Sequence, residues 1–211
     1  AVIDDPVTTT DELIPSGETS SYRSNPVKLS EFALSRRVPE YVGRSKAARD
    51  LADAVRNGEI PDELAAVMEK LGLPADTLKE TTVGSGVFAN RPGDGSAREQ
   101  AASCQKVLGG VANIAYSYAT KRYRSNCINW GILPFTLDEN TPFHYKPGDF
   151  LYVPGIREAV KNGAETIPGK VVSKNGVQDI PLYVKGLTND EKTIILEGCL
   201  INYYAAGYGK D

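Results

Sequence analysis

The stretch Gly93-Asp94-Gly95-Ser96-Ala97-Arg98-Glu99-Gln100 decides how the rest of this chain is read. Two glycines allow a sharp reversal of the backbone, and Ser96 with Glu99 spells S-x-x-E, the capping box that opens a helix. A helix is therefore expected from Ser96 to about Leu108, stopped by Gly109-Gly110. Two readings of the helix start follow. In one, Ser96 caps the helix and Arg98 is a solvated first-turn residue. In the other, the glycine-flanked helix end is an anion site. Its unpaired N–H groups and positive dipole end favour phosphate or carboxylate, and Arg98 adds a bidentate fork. Pattern alone leaves both open.

Outward from this stretch, Thr82 to Phe88 reads as a strand relieved by glycines, and Asn90 to Gly95 as a tight loop. Downstream, Val111 to Ala115 fits a short strand, followed by a helix through Tyr118 and Tyr123 to about Trp130. Further strands are expected near Phe150–Val153, Lys170–Ser173 and Ile180–Lys185. A last helix starts near Asn189 behind the capping box Thr188-Asn189-Asp190-Glu191 and carries Ile194, Ile195, Leu196, Cys199, Leu200 and Tyr203. Upstream, residues 1–43 are irregular, interrupted by Pro6, Pro15, Pro26 and Pro39. Two helices follow. Ser45–Asn57 carries a stripe of Ala47, Ala48, Leu51, Ala54 and Val55, and Pro61–Leu71 one of Leu64, Val67, Met68 and Leu71. Strands and helices interleave without strict βαβ regularity. The fold class is α/β, with the helical pair as an insertion near residues 44–79 at the edge of the domain.

Composition narrows the function. The 211 residues carry 24 basic and 27 acidic side chains, a net charge of −3, which argues against bulk electrostatic binding to nucleic acid. No apolar run is long enough for a membrane span, and no basic, hydrophobic leader opens the chain. The single histidine, His144, excludes an intrachain two-histidine metal site, and Cys104, Cys127 and Cys199 form no C-x-x-C pair. Three sparse cysteines point to reduced thiols and a cytoplasmic address. The first residue is Ala1, so the chain is either processed or part of a longer one.

Three further candidates carry polar chemistry. Thr9-Thr10-Asp11 is followed twelve residues later by Arg23; taken alone, Asp11 and Arg23 read as a surface ion pair. Lys121-Arg122-Tyr123-Arg124-Ser125-Asn126 interleaves cations with tyrosine but reads as a solvated helix face. His144 lies in a proline-bounded loop with nothing near in sequence to tune it as a base.

Several of these residues resemble one family. Gly95-Ser96-Ala97-Arg98-Glu99 is similar to the G-S-S-R-E signature of the aconitase and isopropylmalate isomerase superfamily. Thr9-Thr10-Asp11 with Tyr22-Arg23 resembles its T-T-D-H…Y/F-R stretch, and Gly109-Gly110 with Asn126…Gly131-Ile132-Leu133-Pro134 its G-G…N-x-x-x-x-G-L-L-P run. The motifs fall in the same order over roughly residues 8–206, and the longer forms look most like bacterial aconitase-like hydratases.

The resemblance implies an aconitase-type swivelling β/β/α domain. It puts Ser96 on the serine that takes a proton from carbon, Arg98 and Arg23 on arginines that hold substrate carboxylates, and Asp11 on an active-site aspartate. Ala97 falls on a second, substrate-contacting serine whose hydroxyl is absent here, and Glu12 stands where the family has histidine. A serine hydroxyl is a weak acid, so a basic role needs an oxyanion-type setting, which a helix N-terminus beside an arginine supplies. The implied cofactor is a [4Fe–4S] cluster, expected from other domains because Cys104, Cys127 and Cys199 do not stand in the family's cluster pattern. The chain is thus expected to be residues 1–211 of a longer hydro-lyase, a single swivelling domain that is inactive alone. Its partners would be a small di- or tricarboxylate and the cluster-binding domains of the same polypeptide. A free-standing small subunit of an isopropylmalate isomerase-type enzyme, paired with a large subunit, is the alternative. A module binding RNA or protein without catalysis is the third reading.

Overall fold

Short β-branched and apolar runs separated by glycine form strands here, and the longer amphipathic runs between them form helices. The computed structural model describes residues 1–210. Its first half holds β1 (Val2–Ile3), β2 (Thr8–Thr9), α1 (Thr10–Leu13), α2 (Pro26–Ser30), α3 (Tyr41–Arg56), α4 (Asp62–Lys70), β3 (Ser85–Ala89), β4 (Pro92–Asp94) and α5 (Arg98–Val107). Its second half holds β5 (Gly110–Ala115), α6 (Lys121–Asn129), β6 (Leu133–Thr136), β7 (Phe150–Tyr152), α7 (Ile156–Lys161), β8 (Thr166–Ser173), β9 (Gly176–Tyr183), α8 (Asn189–Glu197) and α9 (Leu200–Ala205). Short 3-10 turns occupy Ser20–Tyr22 and Ala75–Glu80.

Seven strands form one sheet in the order β1-β3-β5-β6-β9-β8-β7. The first four are parallel; β9, β8 and β7 continue the sheet antiparallel, and β6 meets β9 at the single pair Thr136–Tyr183. A separate two-stranded parallel ribbon joins β2 to β4. Side chains alternate across β3, as a pleated strand requires. Val87 and Ala89 face a core with Ala102, Cys104, Leu108, Tyr123 and Cys127 of α5 and α6. Phe88 faces the opposite core with Phe135, Val171, Ile180 and Leu182, and stacks on Phe143 at 3.9 Å. Tyr123 and Phe135 are each 1% exposed, and burial of such a side chain contributes about 1.5–3 kcal/mol.

The fold class is α/β. The helical insertion is real and runs from Tyr41 to Glu80. Leu64, Val67, Met68 and Leu78 pack there against Val172 of β8, with Phe150 and Tyr152 of β7 at the margin. Its buried stripe differs from the expected one. Helix α3 starts four residues earlier, buries Tyr41, Ser45 and Ala52, and leaves Ala47 exposed. The last helix is two helices, because Gly198 takes φ +97 and turns the chain. Gly131 packs so closely there that a Cβ on it would lie 1.8 Å from the Gly198 carbonyl oxygen. The expected loop Asn90–Gly95 contains β4, whose partner β2 is too short to show a strand pattern in sequence.

Candidate active site

The ribbon β2–β4 brings together two motifs that lie far apart in the chain. Thr8 pairs with Pro92 and Thr9 with Asp94, and the Thr8 N–H donates to the Arg91 carbonyl at 3.1 Å. Helix α1 begins directly after β2, so its first turn, with Asp11, adjoins the Gly95–Ser96 turn. Two glycines make the approach possible. Gly93 has φ +99 and a Cβ there would lie 2.3 Å from the Tyr123 ring; Gly95 has φ +128 and its Cβ would lie 2.3 Å from Thr10 Oγ1. Both the backbone conformation and the available space demand glycine.

The start of α5 departs from the capping reading. Ala97, not Ser96, is the N-cap residue, and no side chain caps the helix. Glu99 does not reach back, because its Oε1 accepts the Trp130 indole N–H at 3.0 Å. Ser96 is exposed, and among the described residues its hydroxyl has no hydrogen-bond partner. The first N–H groups of α5 are thus left without a side-chain partner, which is the arrangement an anion site needs. Arg98 is half-buried, and its Nε–H is enclosed with no acceptor.

The N-terminal arm forms the capping box that the serine loop does not. The Glu12 N–H donates to Thr9 Oγ1 at 3.2 Å and the Thr9 N–H donates to Glu12 Oε2 at 2.7 Å. This gives Glu12 a structural reason to stand where the resembled pattern has histidine: only a carboxylate or amide can complete the reciprocal pair. Arg37 adds an ion pair to Glu12 at 3.5 Å.

Asp11 is paired with Arg36 at 2.6 Å, not with Arg23 as the sequence suggested. Its side chain is 58% exposed, so the pair adds little stability. Arg23 follows the 3-10 turn Ser20–Tyr22, is exposed, and has no ion pair or hydrogen bond from its side chain among the described residues. Its neighbour Tyr22 is fixed by stacking on Phe32 at 5.6 Å, and α2, which follows, packs on α5. Ala97 is half-buried against the same core. Ser96, Ala97 and Arg98 therefore sit on one turn with Asp11 in the first turn of α1 beside it, and Arg23 stands on the arm that leans on α5.

Sequence reasoning missed the polar network beneath this turn. Gln105 of α5 donates to Asn113 Oδ1 at 2.6 Å, and Asn113 Nδ2 donates to Tyr123 Oη at 3.4 Å and Cys127 Sγ at 3.5 Å. The signal was Asn113 itself, a polar residue in the middle of an apolar strand. Asn113 is 2% exposed, and such a group is tolerated only when satisfied. The network ties α5, β5 and α6 together under the site. His144 is exposed and lies against Tyr145 with ring centres 4.7 Å apart.

No group of three or more His, Cys, Asp or Glu side chains is placed to hold a metal ion among the described residues. Burial pushes the Cys104 and Cys127 thiols up to about 12, far from the thiolate form a cluster requires. No helix among the described residues is long and apolar enough to cross a membrane.

The chain is similar to proteins of one family. The family described as the aconitase C-terminal domain matches residues 86–140, the segment from β3 through the serine turn to the end of β6. A protein of Emericella nidulans named as a candidate mitochondrial aconitate hydratase is 29% identical over 196 residues, which is 92% of this chain and 23% of that protein. Aconitate hydratase A of Rickettsia bellii is 25% identical over 217 residues, 92% of this chain and 24% of its own. The crystal structure of a 3-isopropylmalate dehydratase from Methanocaldococcus jannaschii aligns with a TM-score of 0.49 and 21% identity, covering 97% of this chain and 91% of that one. The fold is a mixed α/β domain whose serine turn lies inside the segment matched by that family. Over most of its length the chain is similar to aconitate hydratases. It spans about a quarter of the length of the curated relatives it matches.

Proposed function

We propose that this chain is the swivelling domain of an aconitase-like hydro-lyase that adds water to, or removes it from, a hydroxy di- or tricarboxylate. The observation that carries the reading is the free Ser96 hydroxyl on a glycine turn, with Arg98 in the first turn of α5 and Asp11 in the first turn of the adjoining α1. Ser96 Oγ takes the proton from the substrate carbon. The unpaired N–H groups at the start of α5 and the Arg98 guanidinium stabilise the negative charge this requires. The unpaired Nε–H of Arg98 costs about 1–3 kcal/mol where it lies, and turning the side chain onto a substrate carboxylate relieves that cost. Arg23, on the arm, binds a second carboxylate, Asp11 orders the polar side of the pocket, and Ala97 leaves room where a hydroxyl would otherwise contact substrate.

The [4Fe–4S] cluster that the resemblance implies would supply a Lewis acid where it is bound. The thiols here do not fit it: Cys104 and Cys127 are 1% and 0% exposed, and no third thiol or carboxylate joins them in a ligand group among the described residues. On this reading the active centre is composite, completed by cluster-binding domains of the same polypeptide or by a large subunit, and closure over substrate excludes water. The test is Ser96→Ala in the complete, cluster-loaded enzyme. Loss of a base lowers kcat by about 10²–10⁴-fold and leaves KM nearly unchanged. A change in KM alone makes Ser96 a ligand and removes it from proton transfer. Turnover of hydroxy acids by the 1–211 chain by itself overturns the composite centre.

A further inference from the structure

A concavity lies beside the start of α6. It is a cavity of about 360 Å³ lined by the ends of β5 and β6 with Tyr116, Tyr118 and Asp138, by the first turn of α6 and by Lys185 beyond β9. Strands β5 and β6 are adjacent and parallel, and ligands of open α/β sheets collect in crevices at the carboxyl ends of such strands. Thr120, on its wall, donates to the Gly93 carbonyl at 3.3 Å, so the cavity adjoins the serine loop without containing it.

The charge around this cavity is one-sided. Lys121, Arg124 and Lys185 line it, against the single carboxylate of Asp138. That carboxylate already accepts the Tyr183 hydroxyl at 2.9 Å. None of the three cations has an acidic partner among the described residues. Arg124 donates to the Lys185 carbonyl at 2.6 Å, the Lys185 ammonium lies 4.6 Å above the Tyr183 ring, and Lys121 reaches into solvent. Lys121 and Arg124 also occupy the beginning of α6, where the helix dipole opposes positive charge and no acidic residue offsets it. Lys121 and Arg124 at the unfavourable end of α6 disfavour the empty cavity, and an anion beside them reverses the sign. Tyr116 and Tyr118 turn their hydroxyls to the backbone carbonyls of Thr141 and Phe135, at 2.6 and 3.0 Å, which leaves carbon surface to meet a ligand's skeleton.

We propose that this cavity binds a small organic anion through a carboxylate or phosphate group, at a site distinct from Ser96. The probes are inorganic phosphate and malonate, each titrated into the chain by calorimetry with ionic strength held constant by sodium chloride. At least one binds saturably. Arg124→Gln and Lys185→Gln each weaken it about five- to tenfold, as loss of one charge-assisted contact does, and Arg98→Gln leaves it unchanged. The tighter probe says whether the natural group is phosphate or carboxylate. Lys121→Gln, at an exposed side chain that holds no contact of the fold, repeats the test without disturbing folding. Binding that survives the three cavity variants and disappears with Arg98→Gln belongs to the serine turn and overturns the proposal. So does the absence of saturable binding by either probe.

Discussion

Replacing Gly95 with alanine attacks the seam that assembles the site. The new methyl group meets two separate penalties. Gly95 has φ +128, a conformation that side-chain-bearing residues adopt only with about 1–3 kcal/mol of strain. The Cβ also falls 2.3 Å from Thr10 Oγ1, and relieving such an overlap in a packed seam costs about 1–3 kcal/mol more. Gly95→Ala is therefore expected to destabilise the chain by about 2–6 kcal/mol, the sum of the strain and overlap ranges. The two penalties separate in a double-mutant cycle. Thr10→Ala removes the offending oxygen and leaves Thr10 Cβ at the tolerable 3.4 Å, so the double variant should be less damaged than the sum of the singles by about 1–3 kcal/mol. Urea unfolding followed by circular dichroism measures all four corners. Additivity within about 0.5 kcal/mol means that Thr10 and Gly95 do not touch, and the joining of the two motifs fails with it.

Three further outcomes are expected. Gly131→Ala should be more damaging than Gly95→Ala, because its Cβ lands 1.8 Å from a backbone oxygen that no side-chain motion relieves; a thermal midpoint near the parent's refutes the close approach to Gly198. Glu99→Ala should shift the emission of Trp130, the single tryptophan, and cost about 1 kcal/mol, since it removes the acceptor of the indole N–H; unchanged fluorescence refutes the pairing. Above the ordinary thiol value of 9.0 the unfolded chain loses protons that Cys104 and Cys127 retain in the fold up to about 12. Stability is thus complete below about pH 9 and falls as pH rises toward the folded value, and Cys127→Ala should flatten that fall in unfolding curves taken from about pH 8 to about pH 11.

Elements that advertise themselves by local chemistry were legible in the sequence. The Thr188–Glu191 capping box forms as expected, with bonds of 2.9 and 3.1 Å, and the apolar stripe Leu64, Val67 and Met68 is buried as expected. What failed depended on partners remote in the chain. Ser96 and Glu99 have the letters of a capping box, but Trp130 takes the carboxylate, and nothing near Glu99 announces that competitor. Asp11 and Arg23 have opposite charge and short separation, yet Arg36 lies closer in space. Strand β2 is two residues long, too short for any alternation, although it fixes the geometry of the serine turn. The cavity beside α6 escaped because its cations come from two separate stretches, Lys121 with Arg124 and Lys185. The residues of the serine turn were visible by resemblance; the arrangement that leaves its hydroxyl free was not.

The sheet's change of direction at Thr136 and Tyr183 also divides its assembly in time. The β8–β9 hairpin closes through Lys174 and Asn175 alone, whereas Val2 of β1 must find Phe88 across the whole helical insertion. Short loops close cheaply and early, and long ones slowly. The ribbon that carries Ser96 belongs to the slow side, since Thr8 likewise waits for Pro92. A nascent or refolding chain will hold its antiparallel half well before it owns the serine turn, so the joining of β2 to β4 is among the last features this fold acquires.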